Sequence, residues 1–313
     1  MSFNDDVSLD TSQVEGGGGG RGGGLAVGGG FGGVIVLILS LLFGGNITGG
    51  DAGGSSSGSQ VNPSRDNPLI PGQVQAGGAQ AKDFSRCKTG ADANRDVECR
   101  VIGTVNSLQS FWTGELPRYG TNYRKTNTVL YSGATQSACG TASNQVGPFY
   151  CPVDKKVFID ATFFAELSRR FGADDGALAQ EYVVAHEYGH AIQDQLGLLE
   201  RAQQDPQGQK SGAVRVELMA DCLSGVWARH ASQTRSAKDG KTFLKPLTQA
   251  DIESALSAAS AVGDDRIQAK TQGRVTPETW THGSSAARQK WFITGYQGGD
   301  LTQCDTFAAA SLE

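Results

Sequence analysis

The sequence has no C-x-x-C pair, no visible internal repeat, no excess of basic residues and only four histidines in 313 residues. The missing C-x-x-C argues against a zinc ribbon and against a thioredoxin-like redox motif. A net charge of −5 with pI near 5.5 argues against a nucleic-acid partner held through its phosphates. Long apolar runs are scarce as well: one charge-free stretch, residues 25–45, stands out.

Glycine is abundant instead, and its excess lies in the first 80 residues. Residues 1–24 are polar and glycine-rich without periodicity, which predicts disorder. In the apolar stretch, Leu25 to Phe43 would make about 28 Å of helix, close to the thickness of a bilayer's hydrocarbon core. A cleaved signal peptide would need a short basic lead and a small-x-small cleavage site, whereas the preceding segment is long and acidic. A buried core helix is a third reading, disfavoured by the low-complexity sequence on both sides. The expectation is an uncleaved, single-pass anchor. Arg21, the lone cation before it, favours a cytoplasmic N-terminus and an extracytoplasmic domain. Residues 46–80, rich in Gly, Ser, Asn and Pro, read as a flexible linker spanning on the order of 30 Å.

Residues 81–313 have ordinary globular composition and suffice for one core. The six cysteines all fall here, an even number that suits disulfides in an oxidising compartment. Short loops favour Cys87–Cys99 and Cys139–Cys151, which leaves Cys222–Cys304; buried free thiols are the alternative. Apolar spacing predicts a helix over 101–116 and helices over 161–172, 176–196, 211–231, 248–263 and 276–297. "TVLYSG" and "KVFID" read as strands joined through a turn at "GPFYCPVD".

The chemistry concentrates in "VVAHEYGHAIQDQ". His186 and His190 are at i and i+4 on one helix face, a spacing that lets two imidazoles reach one zinc ion. Glu187 follows the first histidine and is positioned to act on a water at the metal. A solvated helix face is the bland alternative, yet Gly189 in a helix interior costs about 1 kcal/mol for no evident return. A metzincin would carry glycine and histidine where this chain has Gln193 and Leu196, so that class is excluded. The next helix carries Glu217 and Asp221 one turn apart among apolar neighbours. Glu217 can complete a His₂Glu site with an open position, and Asp221 can accept the outer ring N–H of a ligand histidine.

A second electrophile is expected for the oxyanion. His282 and Arg288 in "THGSSAAR" are the candidates, against a helix start capped by Thr281 or a serine with Arg288 in solvent. Tyr188 reads as a core aromatic and His230 as a surface residue, about three turns from Glu217.

These stretches, with "ACGTASNQVGPFYCPVDKKVFID", "RVELMADCLSGVWA", "GDDRIQ" and "CDTF", resemble the bacterial family described as "putative neutral zinc metallopeptidase" over most of residues 85–307. More distantly they are similar to the Ste24/HtpX type of peptidase, whose T-H-P segment has Gly283 in place of proline here. The resemblance implies an α+β, predominantly helical, zincin-like domain with Zn²⁺ held by His186, His190 and Glu217, and Glu187 as base. It implies a protein or peptide substrate and attachment to a lipid bilayer through one helix. Two other functions compete: an envelope assembly or binding protein with structural zinc, and a zinc amidase acting on a non-protein amide.

Overall fold

The computed structural model describes residues 2–17, 82–143 and 146–313. Along the chain come β1 (Val14–Gly16), α1 (Gly90–Arg95), α2 (Val97–Glu115), β2 (Asn127–Tyr131), β3 (Ala134–Ser137) and β4 (Gly140–Ser143). They are followed by β5 (Phe149–Cys151), β6 (Lys156–Asp160), α3 (Phe163–Phe171), α4 (Ala177–Gln195) and α5 (Glu200–Gln204). The C-terminal part adds α6 (Gly212–His230), α7 (Gln249–Ala261), α8 (Asp264–Gln272) and α9 (Ser285–Gly298). The arrangement is the expected mixture of helix and sheet, with helix predominating.

Helix starts are written in the local sequence. Asp96 accepts the Glu98 and Cys99 N–H groups at the start of α2, and Thr248 with Asp251 forms a reciprocal capping box on α7. The main sheet runs β1-β2-β6-β5, parallel except where β5 returns antiparallel to β6, with Phe149 opposite Phe158. The sequence pattern puts residues 149–151 within a turn, but their three side chains are fully buried and pair as an edge strand, leaving residues 152–155 to turn. The helix expected over 276–297 begins only at Ser285. Gly283 has φ +92°, which a helix cannot contain, and Ser284 caps α9 by accepting the Ala287 N–H.

The predicted disulfides Cys87–Cys99, Cys139–Cys151 and Cys222–Cys304 are all formed, with Cα separations of 5.0, 5.8 and 5.5 Å. Free thiols are thereby ruled out among the cysteines.

The N-terminus departs most from expectation. Residues 2–17 are part of the fold: Phe3, Val7, Leu9 and Val14 are buried in the main core, and β1 lies parallel to β2. The Phe3 ring packs where a side chain on Gly103 of α2 would stand, and the Asn4 side-chain amide donates to the carbonyl of Thr242 at 2.8 Å. Four apolar residues spread over a dozen positions make no periodic signal, because each docks separately into grooves built by distant segments. Disorder is therefore wrong for residues 2–17; residues 18–24 and the linker at 46–80 lie outside the described residues.

This packing also corrects the localisation. The apolar stretch 25–45 lies outside the described residues, and among those described no helix is long and apolar enough to cross a membrane. Residues 2–17 and the domain after residue 82 share one core, whereas a single crossing between them would put them on opposite sides of a bilayer. A single-pass arrangement with a cytoplasmic N-terminus and an extracytoplasmic domain does not fit.

At the centre runs α4, against α2, α6, α7 and the β5–β6 end of the sheet. It is buried from Leu178 to Gln193 apart from Gln180, so its two histidines lie inside the protein.

Candidate metal centre

The site exists because α4 and α6 approach closely. A Cβ on Gly189 would stand 2.9 Å from the Ala220 Cα, so only glycine permits this crossing. The helix-propensity cost of Gly189 thus has a structural return. Glycine also serves between α6 and α9, where a Cβ on Gly225 would fall 2.1 Å from the Phe292 carbonyl oxygen. The first approach sets Glu217 and Asp221 against the histidines, and the second delivers Arg288 to Asp221.

The Glu217 carboxylate faces both imidazoles. Oε2 lies 3.2 Å from His186 Nε2, and Oε1 lies 3.5 Å from His190 Nε2. One ligand atom from each of the three residues falls within 4.8 Å of the others, and all three residues are buried. The outer ring nitrogens are engaged. His186 Nδ1 donates to Asp221 Oδ1 at 2.8 Å, and His190 Nδ1 donates to Gln193 Oε1 at 2.8 Å. With Nδ1 engaged in this way, the Nε2 atoms of both rings turn to the centre. Gln193 is fixed in turn by donating to the Val216 carbonyl on α6 at 2.6 Å.

Asp221 is a hub. It accepts from Tyr182 Oη and from His186, and Arg288 grips it in bidentate fashion through Nε and Nη2, each at 2.9 Å. Burial opposes its charge, but Arg288 and His186 outweigh that and hold its carboxyl below the usual range. Burial likewise works against a charged His186, yet Asp221 and Glu217 raise it to about 10, so its Nε2 carries a proton toward Glu217 that a zinc ion would displace.

Glu187 points into the same cavity. Burial pushes its carboxyl up to about 7 against the opposing influence of His186 and, more weakly, of the Tyr150 N–H, and Oε2 has no partner. On another wall is His282, whose Nδ1 lies 3.2 Å from Asp264 Oδ1. The other Asp264 oxygen accepts the backbone N–H groups of Thr281, His282 and Gly283 at 2.7, 2.7 and 3.0 Å, which fixes the bend that presents the ring.

A family model described as "Putative neutral zinc metallopeptidase" matches residues 4–307. The chain belongs to that family. Uncharacterized proteins of Mycobacterium tuberculosis (strain H37Rv) and Mycobacterium bovis are each 55% identical over 230 residues, covering 74% of this chain and 77% of theirs. YpfJ, an uncharacterized protein of Escherichia coli (strain K12), is 38% identical over 220 residues, 68% of this chain and 73% of its own. No solved structure matches the chain. The match begins at residue 4, in agreement with a folded N-terminal segment.

Family membership implies Zn²⁺ as cofactor, and the residues fit it. Two imidazole nitrogens and a carboxylate are a donor set that zinc accepts once both Nε2 atoms are free of protons, and beside them the Glu187 carboxyl keeps a buried oxygen without a partner. All seven residues named from sequence as ligands, base, support or electrophile meet at this site; Arg288 is buried and committed to Asp221, not in solvent. The N-cap of α9 is Ser284, one of the serines near Thr281. Tyr188 is a core aromatic as expected. His230 lies elsewhere, half-buried against Phe111 with Nε2 2.9 Å from the Gly299 carbonyl oxygen, instead of free on the surface.

Three supporting residues were not assigned from sequence: Tyr182, Gln193 and Asp264. Tyr182 carries a usable signal, one turn before His186 on the same helix face. Gln193 bears the same relation to His190, three residues on. Asp264 has no such signal, because it pairs with His282 across 18 residues that include all of α8 and the loop after it.

Proposed function

We propose that this protein is a zinc-dependent peptidase in which His186, His190 and Glu217 hold the metal and Glu187 is the general base. The observation that carries this reading is the Glu187 carboxylate: buried, pushed up to about 7, with one oxygen unpartnered, and lining the same cavity as the three donors. A base whose pKa lies near neutrality can both take and return a proton at pH 7. Zinc held by the three donors supplies the Lewis acidity that activates water and polarises a peptide carbonyl.

The chain's own residues supply the rest. Glu187 takes a proton from the attacking water and delivers it to the leaving amine. His282, oriented by Asp264, is the donor toward the oxyanion that develops on the carbonyl. Arg288 is a positioning residue: by gripping Asp221 it keeps the His186 ring turned with Nε2 inward. A structural zinc would take four protein ligands and leave no idle carboxylate; the cluster among the described residues has three.

Metal content and casein hydrolysis measured side by side test the reading. Wild type should bind one zinc and cut casein, while His190→Ala should lose the metal. Zinc retained in full by His190→Ala, or undiminished hydrolysis by Glu187→Gln, overturns it.

A further inference from the structure

The cavity that holds the three donors has a second component. Phe163, Leu167 and Phe171 come from one face of α3 at i, i+4 and i+8, Val183 from α4 one turn before Glu187, and Val262 with Ile267 from the α7–α8 junction. These apolar side chains form a wall beside the catalytic carboxylate, and the ionisable groups of the cavity are those of the metal centre itself. Apolar lining is not general in this protein. A second cavity, between the N-terminal segment and α2, is lined by Asp10, Asn106, Lys125 and Lys238 among others.

We propose that this wall is a specificity subsite that takes one large apolar side chain of the substrate, on a residue flanking the bond that is cut. The inference rests on the peptidase reading. Val183 and Glu187 share one face of α4 a single turn apart, so a group seated on Val183 is next to the base. A leucine or phenylalanine side chain there leaves water for an apolar wall, whereas a charged one gives up its hydration and meets no partner. Leu167 sits mid-way along the α3 face, between Phe163 and Phe171.

The test uses the zinc-loaded full chain and a peptide library varied at both positions flanking one cleavable bond. Leu, Ile, Met or Phe at one fixed position should raise kcat/KM by at least about 10-fold over Gly, and further over Asp or Lys. Leu167→Ala should shift the optimum toward Phe and Trp, and Ile267→Phe toward smaller side chains. Equal cleavage with Asp, Lys and Leu at both positions overturns the subsite, as does a Leu167→Ala variant that is slower without any change of preference.

A second measurement needs no turnover. A hydroxamate bearing an isobutyl group should bind the zinc-loaded protein at least about 10-fold more tightly than acetohydroxamate, and equal affinity overturns the subsite. If wild type cuts no peptide at all, the peptidase reading fails on that result, and the hydroxamate pair alone then decides the pocket.

Discussion

Two glutamates six residues apart on α4 have much in common. Glu181 and Glu187 are both buried, both are pushed up to about 7 chiefly by that burial, and each has oxygen left without a partner. Their surroundings differ. Glu187 lines a cavity with two imidazoles, a carboxylate and His282. Glu181 has neither oxygen partnered and borders no such space; the charged groups acting on it include Arg100 and Asp251. A raised carboxyl pKa therefore does not by itself mark a catalytic base. What separates the two is the donor set beside Glu187 and room for a substrate.

The largest effect should come from exchanging each carboxyl for an amide. Glu187→Gln should cut hydrolysis by roughly 10²–10⁴-fold with zinc retained, the range ordinarily supplied by a positioned base. Glu181→Gln should leave both the rate and the metal content as in wild type. A shared loss of activity in the two variants, measured on one substrate, would erase the distinction. Next in size is Arg288→Ala, which leaves Asp221 buried with one cationic partner fewer. Urea unfolding should show a loss of about 3–5 kcal/mol. Zinc affinity should fall by roughly 10–100-fold, because Asp221 would no longer be fixed against His186. Unaltered zinc affinity in a folded Arg288→Ala protein would remove Arg288 from the positioning role.

The same contrast explains what could be read from the sequence. His186, Glu187 and His190 are legible because helical geometry alone puts them on one face. Glu217 and Asp221 follow once two carboxylates a turn apart are seen among apolar neighbours that must be buried. Cysteine pairing was legible because two of the loops are short. The close approach at Gly189 was visible only as an anomaly, a helix-interior glycine without a reason, until Ala220 was seen against it. The rest depends on contacts between distant segments. Asp264 meets His282 through a bend set by Gly283, and β5 reads as a turn until its burial between β6 and α4 is known. The N-terminal segment is the extreme case. Its apolar residues are too few to form a pattern, and their burial comes from grooves made by residues about 90 to 240 positions later.

Glu181 gives the smallest and most specific prediction, one of stability and not of activity. Its carboxyl titrates at an ordinary 4.5 in the unfolded chain and at about 7 in the folded protein. Between those values the folded state binds more protons, so stability must fall as pH rises through that window. The penalty is absent below about pH 4.5 and complete above about pH 7. Glutamine keeps the shape and never ionises, so Glu181→Gln should match wild type at pH 4. At pH 8 it should exceed wild type by up to roughly 3 kcal/mol, since each tenfold change in the acid dissociation constant is worth about 1.4 kcal/mol. Urea unfolding of zinc-free protein at the two pH values measures the difference without interference from metal binding. An equal gain at both pH values would mean that the carboxyl is destabilising through its packing instead of its charge, and a loss at pH 8 would mean that it has a cationic partner in solution.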